Sequence, residues 1–206
     1  MGESIERFPL FPLGLVLLPG EVVPLHVFEQ RYRTMIAECL ESESEFGIVW
    51  LGDEVLHDVG CTAEITQVME EMDDGRMNII VQGVTPFRLE RRVDDMDYPA
   101  GDVVLLDEEE FADGGEASTA ARLGYADLVE RVTDSRPAES DLAELDAYGM
   151  ASTIAFENDA KQELLELRSE SERLSRLATL CVRALERYDY AEQAAERASS
   201  NGKVHH

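Results

Sequence analysis

One stretch decides the class of the first half of the chain: Asp73-Asp74-Gly75-Arg76-Met77-Asn78-Ile79-Ile80-Val81-Gln82. An Asp-Gly pair suits the centre of a tight hairpin turn, because glycine adopts a positive φ without steric cost. After the turn, apolar residues at 77, 79 and 81 alternate with polar residues at 78 and 82. Alternation with a period of two is typical of a strand that buries one face. The stretch therefore predicts a β-hairpin.

The residues on both sides of this hairpin extend the β-rich pattern over residues 8–107. Further extended segments are predicted where short apolar runs are bounded by turn signals, at 8–11, 22–27, 46–51, 59–69 and 103–106. Between 27 and 46 the apolar residues recur at helical spacing instead. That change of period predicts a single helix over about 29–41.

The second half, 117–198, has helical periodicity throughout and follows an acidic, glycine-bearing connector at 107–116. Ser118, Ser140, Asp159 and Ser169 are predicted to cap successive helices, the last two with Gln162 and Glu172 as capping boxes. The predicted fold class is α+β, with a β-rich lobe at 8–107 followed by an α-helical bundle lobe at 117–198.

The longest predicted helix carries one apolar stripe, formed by Leu174, Leu177, Ala178, Cys181, Leu185 and Tyr188. The simplest interpretation is the core face of a small bundle, and the second interpretation is a coiled-coil seam that would form a homodimer. The tail from Ser199 is expected to be frayed. His205-His206 supports no inference.

Composition excludes several classes of function. The chain has 206 residues, with 18 basic and 44 acidic ones and a net charge of −26. So much negative charge repels nucleic acid and anionic membranes, and we expect neither as a partner. Lys161 and Lys203 are the only lysines, and neither stands in a Gly-Lys-Ser/Thr sequence. The P-loop of an ATPase is therefore excluded, and Lys161 lies in a polar helix start that does not suit a Ser–Lys hydrolytic dyad.

The cysteines and the N-terminal sequence indicate a cytoplasmic protein. Cys39, Cys61 and Cys181 are odd in number and form no Cys-x-x-Cys, which argues against disulfides and against a cysteine zinc site. Cys39 and Cys181 are predicted to be small core residues, and a reactive thiol at Cys61 is a minor hypothesis. The apolar run 13–18 is too short for a membrane span and lacks the basic flank of a signal peptide.

Several motifs, in order along the chain, resemble those of the Lon protease N-terminal domain family. Near the start are Phe8-Pro9-Leu10-Phe11-Pro12-Leu13, Val16-Leu17-Leu18-Pro19-Gly20 and Pro24-Leu25-His26-Val27-Phe28-Glu29-Gln30-Arg31-Tyr32-Arg33. Later come Val59-Gly60-Cys61-Thr62-Ala63-Glu64-Ile65, the hairpin with Gly83 and Phe87-Arg88-Leu89, and Lys161-Gln162-Glu163-Leu164-Leu165-Glu166 with Glu172-Arg173-Leu174. The resemblance covers about residues 8–188, and standalone relatives of the domain are the most similar.

The resemblance implies a β-rich, PUA-like pseudo-barrel lobe followed by a helical lobe. In full-length Lon this region helps to bind unfolded or degron-bearing substrates, and an AAA+ ring and a Ser–Lys peptidase domain follow it. The present sequence ends after the helical lobe. We therefore expect a non-enzymatic polypeptide-binding module without cofactors, acting as an adaptor or holdase-like factor in protein quality control. A separate ATP-dependent protease is the other expected partner.

The candidate polypeptide-binding surface consists of apolar residues in or beside loops. Methionine suits a surface that accepts varied apolar sequences, because its thioether side chain is flexible. The alternative is that the aromatic residues are core and the methionines incidental, since large apolar side chains are usually buried. The candidates are Met69, Met72 and Met77 at the hairpin, Met96 and Tyr98 in the following loop, and Phe28 and Trp50 where the helix meets the sheet.

Polar clusters favour structural roles over chemistry. His26 and Glu29 offer two ligands, too few for a metal site, and His57-Asp58 is predicted to lie in an unrelated loop. The cluster Arg88, Arg91 and Arg92 is interpreted as an ion-paired strand end, because acidic residues surround it. Two other classes of function stay open as alternatives: an enzyme with an undetected site, and an RNA-binding PUA-like protein, which the charge disfavours.

Overall fold

The computed structural model describes residues 2–52, 55–107 and 115–201. It confirms the α+β class, and it divides into two compact units. The first unit comprises 1–110 and 148–168, and the second comprises 111–147 and 169–206. Residues 148–168 thus belong with the strands, not with the helical lobe in which they were predicted. Most of the predicted connector, and His205-His206, lie outside the described residues.

Six strands and six helices are described in chain order. The strands are β1 Ser4–Leu13, β2 Val22–Val27, β3 Phe46–Gly52, β4 Val55–Glu71, β5 Met77–Val93 and β6 Ala100–Leu105. The helices are α1 Gln30–Ser42, α2 Gly115–Thr133, α3 Glu139–Ala143, α4 Ala147–Ala151, α5 Asn158–Glu166 and α6 Glu170–Asn201.

The six strands form one sheet that closes on itself. Its order is β2-β5-β4-β3-β1-β6, and β6 also pairs with β5. Closure depends on the length of β5, because β2 pairs with residues 77–82 of that strand and β6 with residues 87–93. The result is a five-strand ring with β2 added at one edge, which is the pseudo-barrel that the resemblance implies.

The hairpin between β4 and β5 forms as predicted. Gly75 has φ +80°, and its N–H donates to the carbonyl of Met72 at 2.8 Å. Inside the ring, Phe87 is fully buried with Phe8, Leu10 and Val103. A Cβ at Gly47 would lie 2.6 Å from the Phe87 ring, so the absence of a side chain there makes room for the ring.

Helix α5 belongs to the first unit because its polar side chains hold the strands and the loop 14–21. The Asn158 amide donates to the carbonyl of Gly14 at 2.9 Å, and the Gln162 amide donates to the carbonyl of Val59 at 3.1 Å. Lys161 forms an ion pair with Glu21. Helix α5 begins after Glu157 without a side-chain cap, so the cap predicted at Asp159 is wrong.

In the second unit, α2 packs against α6. The apolar stripe of α6 is buried at Leu174, Leu177 and Cys181, whereas Tyr188 near its end is 38% exposed. The cap predicted at Ser169 is confirmed, since its hydroxyl accepts from the backbone N–H of Glu172 at 3.2 Å. The other predicted caps are wrong, because Ser118 and Ser140 lie inside α2 and α3.

Candidate functional site

The first unit contains two adjoining cavities of about 470 and 430 Å³. They share Pro12, Arg31, Leu51 and Pro99 as lining residues, so we treat them as one surface and call it the groove. Its walls come from the end of β1, the end of β3, the segment 94–99 between β5 and β6, and the segment between β2 and α1.

The sheet register brings these segments together. β1 runs parallel to β3, with Pro12 opposite Val49 and Leu13 opposite Trp50, so both strands end at the groove. β5 and β6 are paired up to Val93 and Ala100, which leaves residues 94–99 as the connection at the same rim. Leu51 is 44% exposed there. Leu56 of β4 lies opposite Leu51 and adds to the apolar wall.

Arg7 holds the segment 94–97 in place. It interrupts the pairing of β1 with β6 at an irregularity between Ile5 and Phe8, and its φ is +55°. From that position its guanidinium donates to Asp95 at 2.8 Å and to the sulfur of Met96 at 3.1 Å. A residue of β1 thus determines where Met96 stands beside the groove.

Tyr98 forms the buried base of the same segment. Its hydroxyl donates to the Glu38 carboxylate of α1 at 2.6 Å. Burial, and then this negative partner, raise the pKa of Tyr98 well above its usual value, so the hydroxyl stays protonated and keeps donating. Tyr98 therefore ties the segment to α1, and it is a wall of the groove, not an exposed contact residue.

Phe28 is the most exposed aromatic side chain at the groove, at 60%. Its ring stacks on His26 with the centroids 5.7 Å apart. The His26 Nδ1–H donates to Asn78 Oδ1 at 2.7 Å, and the Asn78 amide donates to Glu70 at 2.9 Å. A polar chain across three strands therefore fixes the histidine on which Phe28 rests.

Charged side chains surround the apolar walls. Arg31 pairs with Glu29 at 2.9 Å and lies 4.6 Å from the centre of the Tyr32 ring. Tyr32 is buried, and its ring stacks on that of Phe11 with the centroids 4.1 Å apart. This agrees with the interpretation of Tyr32 as a core tyrosine flanked by arginines. Burial raises the pKa of its hydroxyl.

Five of the seven predicted surface residues lie in two places. Phe28, Met96 and Tyr98 line the groove. Met69 is 59% exposed on β4 and Met72 is half-buried at the hairpin turn. We call Val68, Met69 and Met72 the hairpin patch. Leu51 was not predicted, because it continues the apolar run of β3 and has no local signal of exposure.

Two predicted residues are corrected by their surroundings. Met77 is buried, because it lies on the same face of β5 as the buried Ile79 and Val81, so it offers no accessible surface. Trp50 is half-buried, and its ring stacks on His57 at 4.3 Å. His57 lies in β4 and not in a loop, and Trp50 does not line either cavity of the groove.

The other polar and sulfur groups take structural positions. Cys39, Cys61 and Cys181 are all buried, and burial raises the pKa of each thiol, that of Cys181 to about 12. The hypothesis of a reactive thiol at Cys61 is therefore wrong. Arg91 pairs with Asp102 at 2.5 Å, so the predicted ion pairing exists but uses a carboxylate of β6. Within 2–52, 55–107 and 115–201, no cluster of three or more ligand side chains could hold a metal ion.

No helix in the described part of the chain is both long and apolar enough to cross a membrane. Among solved structures, the fold is similar to a Lon N-terminal domain protein from Xanthomonas campestris, at 25% identity and a TM-score of 0.65, covering 85% of this chain and 98% of that one. It is also similar to the N-terminal domain of Lon protease from the Mycobacterium avium complex, at 22% identity and a TM-score of 0.68, covering 87% and 98%.

Two sequence relatives are much longer than this chain. Lon protease 2 of Syntrophobacter fumaroxidans is 24% identical over 95% of this chain, which corresponds to 27% of the relative. Lon protease of Parabacteroides distasonis is 30% identical over 52% of this chain and 14% of its own length. The model of the ATP-dependent protease La (LON) substrate-binding domain matches residues 7–183, and the chain belongs to that family.

Proposed function

We propose that this member of the Lon substrate-binding domain family binds unfolded or degron-bearing polypeptide at the groove and the hairpin patch, without cleaving it. The observation that carries the proposal is the groove itself, whose apolar walls end in an aromatic ring, Phe28, that is 60% exposed. Exposed apolar side chains beside a concave surface are typical of sites for apolar ligand groups.

The spacing of the two regions suits an extended segment. Val27 at the end of β2 lies opposite Met77 of β5, and Met77 lies opposite Glu71 of β4. Phe28 directly follows Val27, so it is separated from the hairpin patch on β4 by two strand spacings. Two strand spacings are about 10 Å. An extended chain rises about 3.3 Å per residue, so a segment of a few residues can contact both regions.

The non-catalytic part of the proposal rests on the chemistry of the groove. Its ionisable lining residues are arginines, carboxylates, two buried tyrosines and His26, whose Nδ1 is hydrogen-bonded to Asn78. Among the described residues, no serine, threonine, cysteine or lysine lines either cavity, and the buried thiols have raised pKa values. A nucleophile would need an adjacent base or a lowered pKa. We infer a role in protein quality control in the cytoplasm, as an adaptor or a holdase-like factor, with a separate ATP-dependent protease as partner.

The test is fluorescence anisotropy with reduced, carbamidomethylated ribonuclease, a permanently unfolded polypeptide. Phe28→Ser and Met69→Ser should each weaken binding severalfold without changing the melting temperature, because both side chains are already exposed. Leu123→Ser is the matched control, since Leu123 is 53% exposed on α2 of the second unit. Equal binding by Phe28→Ser and Leu123→Ser contradicts the proposed surface.

Two further measurements separate the roles. Incubation of the unfolded polypeptide with the chain, with and without ATP, should leave it intact on a gel, and cleavage contradicts the non-catalytic proposal. Adding the chain to a Lon-type protease should accelerate degradation if it is an adaptor. It should slow degradation and suppress aggregation if it is a holdase.

A further inference from the structure

We propose that the groove selects polypeptide segments in which apolar residues are flanked by lysine or arginine, and that Asp94 and Asp97 supply the local part of this selection. The inference rests on the proposed function and names the class of segment that the site prefers. It follows from the charges around the groove and from the field of the whole chain.

Asp94 and Asp97 both line the groove and are both exposed. Neither side chain has a hydrogen bond or an ion pair with any residue among 2–52, 55–107 and 115–201. Their neighbour Asp95 differs, because Arg7 neutralises it at 2.8 Å. The segment 94–97 is thus held by one carboxylate and presents the other two to whatever occupies the groove.

The arginines at the groove do not cancel this charge. Arg31 is paired with Glu29 at 2.9 Å, so the pair adds no net charge. Arg92 also lines the groove, and it lacks an ion pair with the described residues. One cation therefore stands against two free carboxylates, and the lining has a net negative charge beside its apolar walls.

The wider field has the same sign. Residues 1–107 contain 22 acidic and 7 basic residues, a net charge of −15. A field of this kind raises the association rate of cationic ligands and lowers that of anionic ones, and salt screens the effect. An apolar segment with flanking lysines fits both the walls and the charge, whereas a segment flanked by glutamates meets repulsion before it reaches the walls.

Three labelled peptides test the inference, each with the same apolar and aromatic core and with two lysines, two serines or two glutamates on either side. The Lys-flanked peptide should bind roughly tenfold more tightly than the Glu-flanked one at about 50 mM salt, and the ratio should shrink at about 300 mM salt as screening increases.

The variant Asp94→Asn/Asp97→Asn should reduce that preference at least threefold, to the order of a few-fold. The control Glu41→Gln/Glu64→Gln changes the net charge by the same amount at exposed carboxylates that do not line the groove. It should alter the preference by less than about twofold, because neither carboxylate lines the groove and salt screens the field of more distant charges. Circular dichroism should show that both variants stay folded.

The outcomes separate the inference from the function on which it rests. If the Ser-flanked peptide binds and the three peptides bind equally, the charge selection is wrong and the proposed function stands. Tighter binding of the Glu-flanked peptide would assign the groove to anionic segments through Arg92 and overturns the inference. The inference is also overturned if a second copy of the chain occupies the groove. Sedimentation would then show a dimer, and added peptide would dissociate it. If no peptide binds, the proposed function fails together with the inference.

Discussion

Two ion pairs, one in each unit, stand in different surroundings. In the first unit, Lys161 and Glu21 form an ion pair whose side chains are only 12% and 11% exposed. In the second, Arg131 contacts Asp189 and Glu192, and all three side chains are between 37% and 45% exposed. The two ion pairs have similar geometry. Loss of one partner from the buried pair leaves a charge that water cannot reach, which costs unfolding free energy, whereas water can solvate the charge left behind in the exposed pair.

A second difference concerns which segments of the chain the basic side chains fix in place. Lys161 fixes the loop 14–21 through Glu21, whose other carboxylate oxygen accepts from the backbone N–H of Leu18 at 3.0 Å. Arg7 fixes the groove segment 94–97. Arg131 joins two helices that already pack through apolar residues. Lys161 and Arg7 therefore position loops, and we expect the loss of Lys161 to affect stability and the loss of Arg7 to affect binding.

The largest effect is expected for Lys161→Met, which leaves the Glu21 carboxylate buried without its cation. Breaking a buried pair on one side typically costs about 3–5 kcal/mol of unfolding free energy. Urea unfolding of the full chain measures the change. The double variant Lys161→Met/Glu21→Gln should recover much of the loss, because the glutamine oxygen still accepts from Leu18. Equal losses in the single and double variants would contradict the buried-charge explanation.

Arg7→Gly should separate binding from stability. Glycine removes the contacts to Asp95 and Met96 but also relieves the positive φ of 55° at this residue. The melting temperature should therefore change little, while the affinity for the Ser-flanked peptide falls severalfold because the segment 94–97 loses its support. Arg7→Ala, which keeps the strain, should be the less stable of the two variants. Unchanged peptide affinity in Arg7→Gly would show that the segment holds itself in place.

A smaller effect is expected at Asp102, next to the same contacts. The backbone N–H of Arg7 at 3.1 Å, and then the Arg91 guanidinium, lower the pKa of Asp102 below its ordinary 3.8. A lowered pKa in the folded state stabilises the fold above the ordinary value, and this contribution disappears as the pH falls through the folded-state pKa.

Melting temperatures of wild type and Asp102→Asn therefore provide the measurement. The wild-type advantage should be present at about pH 5 and should shrink as the pH falls through the folded-state pKa. Comparing the two proteins at each pH cancels the general effect of neutralising the other acids. An advantage that persists at the lowest pH would show that the asparagine disturbs packing instead.

The smallest effect is expected for Arg131→Gln in the second unit. Exposed ion pairs contribute little and are screened by salt, so the melting temperature should not change measurably at physiological ionic strength. A small decrease should appear only at low salt. A large decrease in melting temperature at both ionic strengths would contradict the contrast between the two ion pairs, because the exposed pair would then stabilise the fold as much as the buried one.

Local patterns predicted much of the fold. The Asp-Gly turn, the alternation after it and the helix of α1 all depend on residues close together in sequence, and all appear in the structure. The cap at Ser169 was also predictable, because Glu172 is only three residues away. Helix α5 was assigned to the wrong lobe, because its partners Gly14, Glu21 and Val59 lie more than 100 residues earlier.

The site was less predictable than the strands. Phe28 was predicted beside a groove together with Trp50, and Met96 was predicted in a loop; Phe28 and Met96 line the groove, and Trp50 does not. Met77 and Met69 are both methionines beside the hairpin turn, but Met77 lies on the inward face of β5 with Ile79 and Val81 and is buried. Leu51 carries no local signal of exposure, because it continues a buried run.

The sequence by itself determined the class of fold, the hairpin, the acidity and the absence of a P-loop lysine, because these depend on composition or on neighbouring residues. Only the tertiary structure decided that the sheet closes through β5 and β6, that Arg7 supports Met96, and that Asp94 and Asp97 lie at the groove without an ion pair to any described residue. Such contacts join residues far apart in sequence. Strand register and burial set them, and the local pattern of residues does not encode either one.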